Sequence, residues 1–206
     1  MQDYPGFDLE GGEIVAHEVV EHDERLNVVG WRPSILRRVA LQALYEMDST
    51  DHGVGAVLEH HLQNLEREYE VDVGEADYLN FKARLQRMLT QINEQRLALD
   101  NILQAYAPEF PIEQVAIIDR NILRIALYEM AYTDPPNSAI FIDEAVILAQ
   151  TFGADNSPRF VNGVLGAIDD HLIQVRQQLR PDLDPEGDAR AIQLVRDRRA
   201  SKSRSS

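Results

Sequence analysis

Apolar residues recur every three or four positions along most of this chain. Leu36, Val39, Ala40, Ala43, Leu44 and Met47 share one side of a helix expected from about Pro33 to Met47. A second helix is expected from about Ala56 to Tyr69. A long helical region follows from about Ala76 to Ala107, with Leu79, Leu85, Met88, Leu89, Ile92, Leu99, Ile102 and Leu103 as its apolar content and Pro108 and Pro111 as its stop. The segment after Pro111 places Ile118, Ile122, Ile125 and Ala126 on one side, with Arg120, Arg124 and Tyr128 on another and Glu129 projecting toward the apolar side. Pro135 to Ile168 reads as two consecutive helices at the centre of the fold. Ile142, Ala145, Val146 and Ala149 share a face of the first, and Ile147 and Leu148 widen it, so that helix is expected to be covered on more than one side. Gly153 is expected to end it in a left-handed conformation. Asn137 or Ser138 can cap the first of these helices and Ser157 the second. Val161, Val164, Leu165, Ile168, Leu172 and Val175 carry the second stripe on to about Leu179. No run of alternating residues reads as a strand, so the pattern predicts an all-α protein.

The flanks break this periodicity. Residues 1–30 are acidic and glycine-bearing and read as a flexible arm, either a solubilising extension or a competitor for basic residues. The helical domain is expected over 31–180, with subdomains at about 31–108 and 111–180. Residues 181–206 read as a polar, basic tail, in which a short helix frays into a segment that is either disordered or binds RNA nonspecifically.

The 206 residues are enough for a substantial core. No apolar run is long enough to span a bilayer and no signal-peptide pattern is present, so a cytoplasmic protein without a membrane partner is expected. The absence of cysteine excludes disulfides, thiolate nucleophiles and cysteine-ligated metal. The net charge of −15 means that any anion-binding surface must be a local patch, weak alone and strengthened by a helper.

One such patch is suggested on the first helix. Arg38, Gln42 and Tyr45 line its polar face at i, i+4 and i+7, and Arg32 and Arg37 lie near its start. A cation, an amide and a ring can hold a phosphate, bond a base edge and stack a base, although the same residues also suit an ordinary solvated face. His60 and His61 are adjacent and have no ligand pair one turn away, so no metal is expected there. Glu129 is either a carboxylic acid with raised pKa or, more simply, a structural carboxylate whose partner the sequence does not identify. There is no phosphate loop, nucleophile motif or carboxylate dyad, so neither an enzyme nor a bound cofactor is expected. Gly163 and Gly166 are read as sites of close helix packing.

Three segments then resemble one family. RRVALQALYEMD (residues 37–48), IDRNILRIALYEM (118–130) and IFIDEAVILAQTFGADNSPRFVNGVLGAI (140–168) are similar, in order and spacing, to the first helix, fifth helix and most specific block of the NusB family. The resemblance covers roughly Arg32 to Leu179. It implies an all-α fold of two small helical subdomains and a noncatalytic transcription antitermination factor. Such a factor binds boxA-type RNA together with the ribosomal protein NusE, in the transcription elongation complex on ribosomal RNA operons, and exists as a monomer or a homodimer. Carried over by motif, the RNA-binding candidates are Arg37, Gln42 and Tyr45 on the first helix and Asn156, Ser157, Arg159 and Phe160 at the later turn. Arg124 is a weaker candidate, and Asp119 is a candidate contact to the ribosomal protein. Phe160 sits one residue off the core stripe and either exposes its ring for stacking or packs toward Val164 and Ala167. Two departures oppose each other. Pro33 to Leu36 interrupt the arginine run usual before the first helix, and Asn156 stands where the family often has an acid. A helical scaffold that binds the ribosomal protein without RNA is the alternative. RNA methyltransferases that carry a similar module use a cysteine, which this chain lacks.

Overall fold

The computed structural model of the protein describes residues 33–69 and 75–203. The acidic arm at residues 1–30 and the candidate Arg32 lie outside the described residues. Nine α-helices are described: α1 (Pro33–Ser49), α2 (Val54–Tyr69), α3 (Glu75–Glu94), α4 (Arg96–Tyr106), α5 (Ile117–Tyr132), α6 (Ser138–Phe152), α7 (Ser157–Asp170), α8 (Leu172–Leu179) and α9 (Pro185–Ser203), with a 3₁₀ turn at Ile112–Gln114 before α5. No strand occurs among the described residues, so the all-α expectation holds.

The centre is α5 rather than the pair that follows it. Every residue from Asn121 to Ala131 is buried. Helices α1, α3 and α4 pack on α5 from one part of the fold, and α6, α7 and α8 pack on it from the other. The buried residues form a continuous core that runs through it from Leu36 to Ile192. Helix α6 is covered on one side only. Phe141, Ala145, Leu148 and Ala149 face inward, while Ile140 and Ile147 are about half exposed. The apolar residues that surround α6 in sequence therefore exceed what its neighbours cover.

Several boundaries differ from the periodic reading for local reasons. The long helix bends at Gln95, between α3 and α4, although the amides of Gln95 and Leu99 still bond Gln91 and Gln95. The bend lets Arg96 and Asp100 of α4 reach partners on α1 and α5. The last core helix breaks at His171 into α7 and α8. At Gly153 the backbone is extended, with φ −92° and ψ −178°, not left-handed. Glycine is needed there because a Cβ would lie 2.5 Å from the Ser157 Cβ and 2.7 Å from the Ala149 carbonyl oxygen. A Cβ at Gly163 or Gly166 would meet nothing within 4 Å, so close packing does not explain those two glycines. The Asn137 side chain makes no capping bond at the start of α6.

Beyond Pro181 the chain folds back as α9. Its sequence offers few apolar residues, and charge supplies much of the attachment. Arg176 of α8 is fully buried and its Nε donates to both oxygens of buried Asp188, at 3.1 and 2.9 Å. Its Nη1 reaches the carbonyl oxygens of Met130, Ala131 and Thr133 at 2.7, 2.8 and 3.0 Å, and its Nη2 donates to Asp134. These carbonyls lie at the end of α5, where a helix leaves its acceptors without intrahelical donors. One guanidinium thus caps the central helix and anchors the terminal one, and Ile192 of α9 is buried in the core. Arg176→Met should lower the unfolding free energy by about 3–5 kcal/mol, because Asp188 is left buried without its partner. Chemical denaturation of the two proteins measures this directly.

Candidate nucleic-acid interface

Helix α1 has an inward and an outward side, and its two adjacent arginines divide between them. Leu36, Val39, Ala40, Ala43 and Leu44 form the apolar stripe, and Arg37 points inward with them at 4% exposure. Its Nε donates to Glu129 Oε2 at 2.6 Å and its Nη1 lies 3.0 Å from Glu144 Oε2. Its guanidinium also lies 5.7 Å from the centre of the Phe141 ring. Arg37 is therefore the missing partner of Glu129 and holds α1 to α5 and α6. It is not an exposed RNA contact, because its donors are used inside the protein. Burial pushes the Glu129 carboxyl above the usual glutamate range, and Arg37 opposes that shift.

Arg124 is removed from the candidate surface for the same reason. It is 2% exposed and bridges Asp100, at 2.8 and 2.7 Å, and Asp48, at 2.9 Å. Arg96 reaches the same Asp48 at 2.7 Å and Asn121 donates to it at 3.3 Å. This knot ties the end of α1 to α4 and α5.

Arg38 faces the other way. It is half-buried, with its guanidinium 5.7 Å from the Phe152 ring at the end of α6, and it has no carboxylate partner among the described residues. Gln42 and Tyr45 follow on α1, both half-buried. The Gln42 Oε1 has no hydrogen-bond partner among the described residues, and Tyr45 packs partly against the core.

Phe152 leads directly into the α6–α7 turn. There Ser157 is buried and acts in the turn itself rather than on its surface. Its Oγ accepts from the Ala154 amide at 2.9 Å and donates to Asp119 Oδ2 at 2.8 Å. The close approach of Gly153 to Ser157 makes room for this arrangement. Asp119 is buried too, so it ties α5 to the turn and is not an exposed contact for a partner protein. Burial pushes its pKa up, against the smaller effect of the Ser157 hydroxyl, and its Oδ1 has no partner among the described residues.

On this fixed turn Asn156 and Arg159 are exposed. Phe160 is half-buried and meets Phe110 edge to face, with ring centres 5.6 Å apart and planes at 76°. Phe110, at 53% exposure, was not among the residues singled out by motif. Its position between Pro108 and Pro111 was the available signal, because a large ring in such a turn needs a reason to be there. Phe152 was likewise missed as the ring beside Arg38.

The structure thus brings Arg38 and Phe152 to the start of the turn that carries Asn156, Arg159 and Phe160. Such a set offers two cations, an amide and aromatic faces, which suits phosphates and unstacked bases. Elsewhere, one ligand atom each of Glu46, His60 and His61 lies within 4.8 Å of the others, a grouping that spacing along α2 does not reveal.

Two outcomes follow from the buried charges. Arg37→Ala should lower stability by about 3–5 kcal/mol, because two carboxylates lose their partner; equilibrium unfolding checks it. Asp119 holds its proton more tightly in the folded state, so its ionisation opposes folding. That penalty is absent below the ordinary carboxylate pKa and grows as pH rises through the raised one. The stability of Asp119→Asn relative to the parent should therefore increase as pH rises above the ordinary carboxylate range and then level off, read as melting temperature against pH.

Comparison with known proteins extends these observations. The NusB family model matches residues 34–170. The transcription antitermination protein NusB of Chloroflexus aggregans is 40% identical over 135 residues, covering 65% of this chain and 83% of that protein. The solved structure of T. maritima NusB superposes with a TM-score of 0.58 at 25% identity, covering 68% of this chain and 92% of the other. A structure of antitermination factors NusB and NusE in complex with double-stranded RNA gives a TM-score of 0.55 at 18% identity, covering 67% of this chain and 96% of the matched one, and shows likeness of fold.

Proposed function

The chain belongs to the NusB family, and from that premise we propose that it is a noncatalytic transcription antitermination factor. It holds a short boxA-type RNA segment jointly with a NusE-type ribosomal protein, within the elongation complex on ribosomal RNA operons. The observation that carries the reading is the approach of Arg38 to Phe152. It puts a cation of α1 beside the turn with exposed Asn156 and Arg159 and half-buried Phe160. Arg38 and Arg159 hold phosphates, Phe160 and Tyr45 offer faces to bases, and Asn156, with the Gln42 side-chain NH2, bonds base edges or backbone. Self-association that covered Arg38 and Phe160 would compete with RNA.

The patch is thin. With Arg37 and Arg124 internal, few cations remain against a net charge of −15. RNA binding is therefore weak alone and strengthened by a basic partner, which lowers the repulsion. The same thinness favours a second reading, a scaffold that binds the ribosomal protein without RNA.

Binding of boxA-type RNA, measured with and without the ribosomal protein across a salt series, separates the two. Under the RNA reading, Arg38→Ala and Arg159→Ala each flatten the slope of log affinity against log salt by about 0.7, one phosphate contact on a single strand. Phe160→Ala weakens ternary binding by about 1–3 kcal/mol when measured at a temperature where the variant remains folded. Asn156→Asp weakens it by adding repulsion. A parent protein that binds the ribosomal protein but gains no RNA affinity from it identifies the scaffold instead.

A further inference from the structure

Glu46 lies near the end of α1 and collects three imidazoles. Its Oε1 is 2.8 Å from His52 Nδ1, in the loop after α1. Its Oε2 is 3.0 Å from His60 Nδ1 and 3.1 Å from His61 Nε2, both on α2. Successive residues on a helix point about 100° apart, so two adjacent histidines do not ordinarily meet at one atom. Here they do because His60 presents its near ring nitrogen and His61 its far one. The rings are 5.1 Å apart and tilted by 41°. The carboxylate comes from a different helix, which is why spacing within α2 did not reveal the group.

The donor atoms of Glu46, His60 and His61 all lie within 4.8 Å of one another. A tetrahedral zinc-class ion with bonds of about 2.0–2.1 Å separates its ligand atoms by roughly 3.3 Å. The Glu46 Oε2 atom lies 3.0 Å from His60 Nδ1 and 3.1 Å from His61 Nε2, already near that separation, and closing the rings around an ion needs only side-chain rotation. We propose that Glu46, His60 and His61 form a site for a divalent transition-metal ion of the zinc class, with solvent completing the shell, that clips α2 to the end of α1. Imidazole and carboxylate donors suit such an ion. The simpler alternative is a carboxylate that accepts three N–H donors and binds no metal.

The test uses the untagged full chain, freed of metal and titrated near neutral pH with Zn²⁺ by calorimetry and with Co²⁺ by visible absorption. One ion per chain and an intense tetrahedral cobalt band are expected. Glu46→Gln and His61→Ala should each weaken binding by about tenfold or more and remove the band, while metal should raise the melting temperature of the parent but not of these variants. The whole proposal fails if the folded parent gives no cobalt band. It also fails if a His60→Ala/His61→Ala double variant binds as well as the parent, because the ion then sits elsewhere, for example near His17 and His22.

Discussion

A charged side chain placed on a helix that is enclosed along its length must find an opposite charge or a hydrogen-bond donor inside the protein. Helix α5 carries three buried charged residues, and each one locates a neighbour. Glu129 takes Arg37 of α1, Arg124 takes Asp48 of α1 and Asp100 of α4, and Asp119 takes the hydroxyl of Ser157 on α7. At the far end Arg176 of α8 meets the carbonyls that α5 leaves open and binds Asp188 of α9. Apolar packing brings these helices together, but it is not directional. The polar contacts are directional, and they orient the surrounding helices relative to α5.

The candidate interface depends on this interior. The Ser157–Asp119 contact fixes the turn from beneath, and Gly153 leaves the space it needs. Asn156 and Arg159 can then stand outward on a supported backbone. The same interior also takes two cations that motif matching assigned to RNA. What is left outside is a small basic and aromatic strip on an acidic protein. A surface of that kind gains most from a second protein that brings positive charge.

Helix α1 serves several partners through different sides. Arg37 faces α5 and α6, Arg38 faces the end of α6, Asp48 enters the arginine knot and Glu46 gathers histidines from the loop and α2. Few of its polar residues are merely solvated.

Helical periodicity, proline stops and the three motif blocks determined the all-α class, most helix positions and the family, because these are local properties of the backbone and its side-chain spacing. The stripe from Leu36 to Leu44 and the order of α5, α6 and α7 needed nothing more. Which of two adjacent arginines turns inward was not local. Arg37 and Arg38 have the same chemistry, and only the positions of Glu129, 92 residues away, and of Glu144 separate them. The docking of α9, the role of Ser157 beneath its turn and the convergence of His60 and His61 on Glu46 were likewise decided by the tertiary structure. In each case the partner comes from another helix, and the free energy of a buried or shared charge depends on what stands opposite it, which spacing along one segment does not contain.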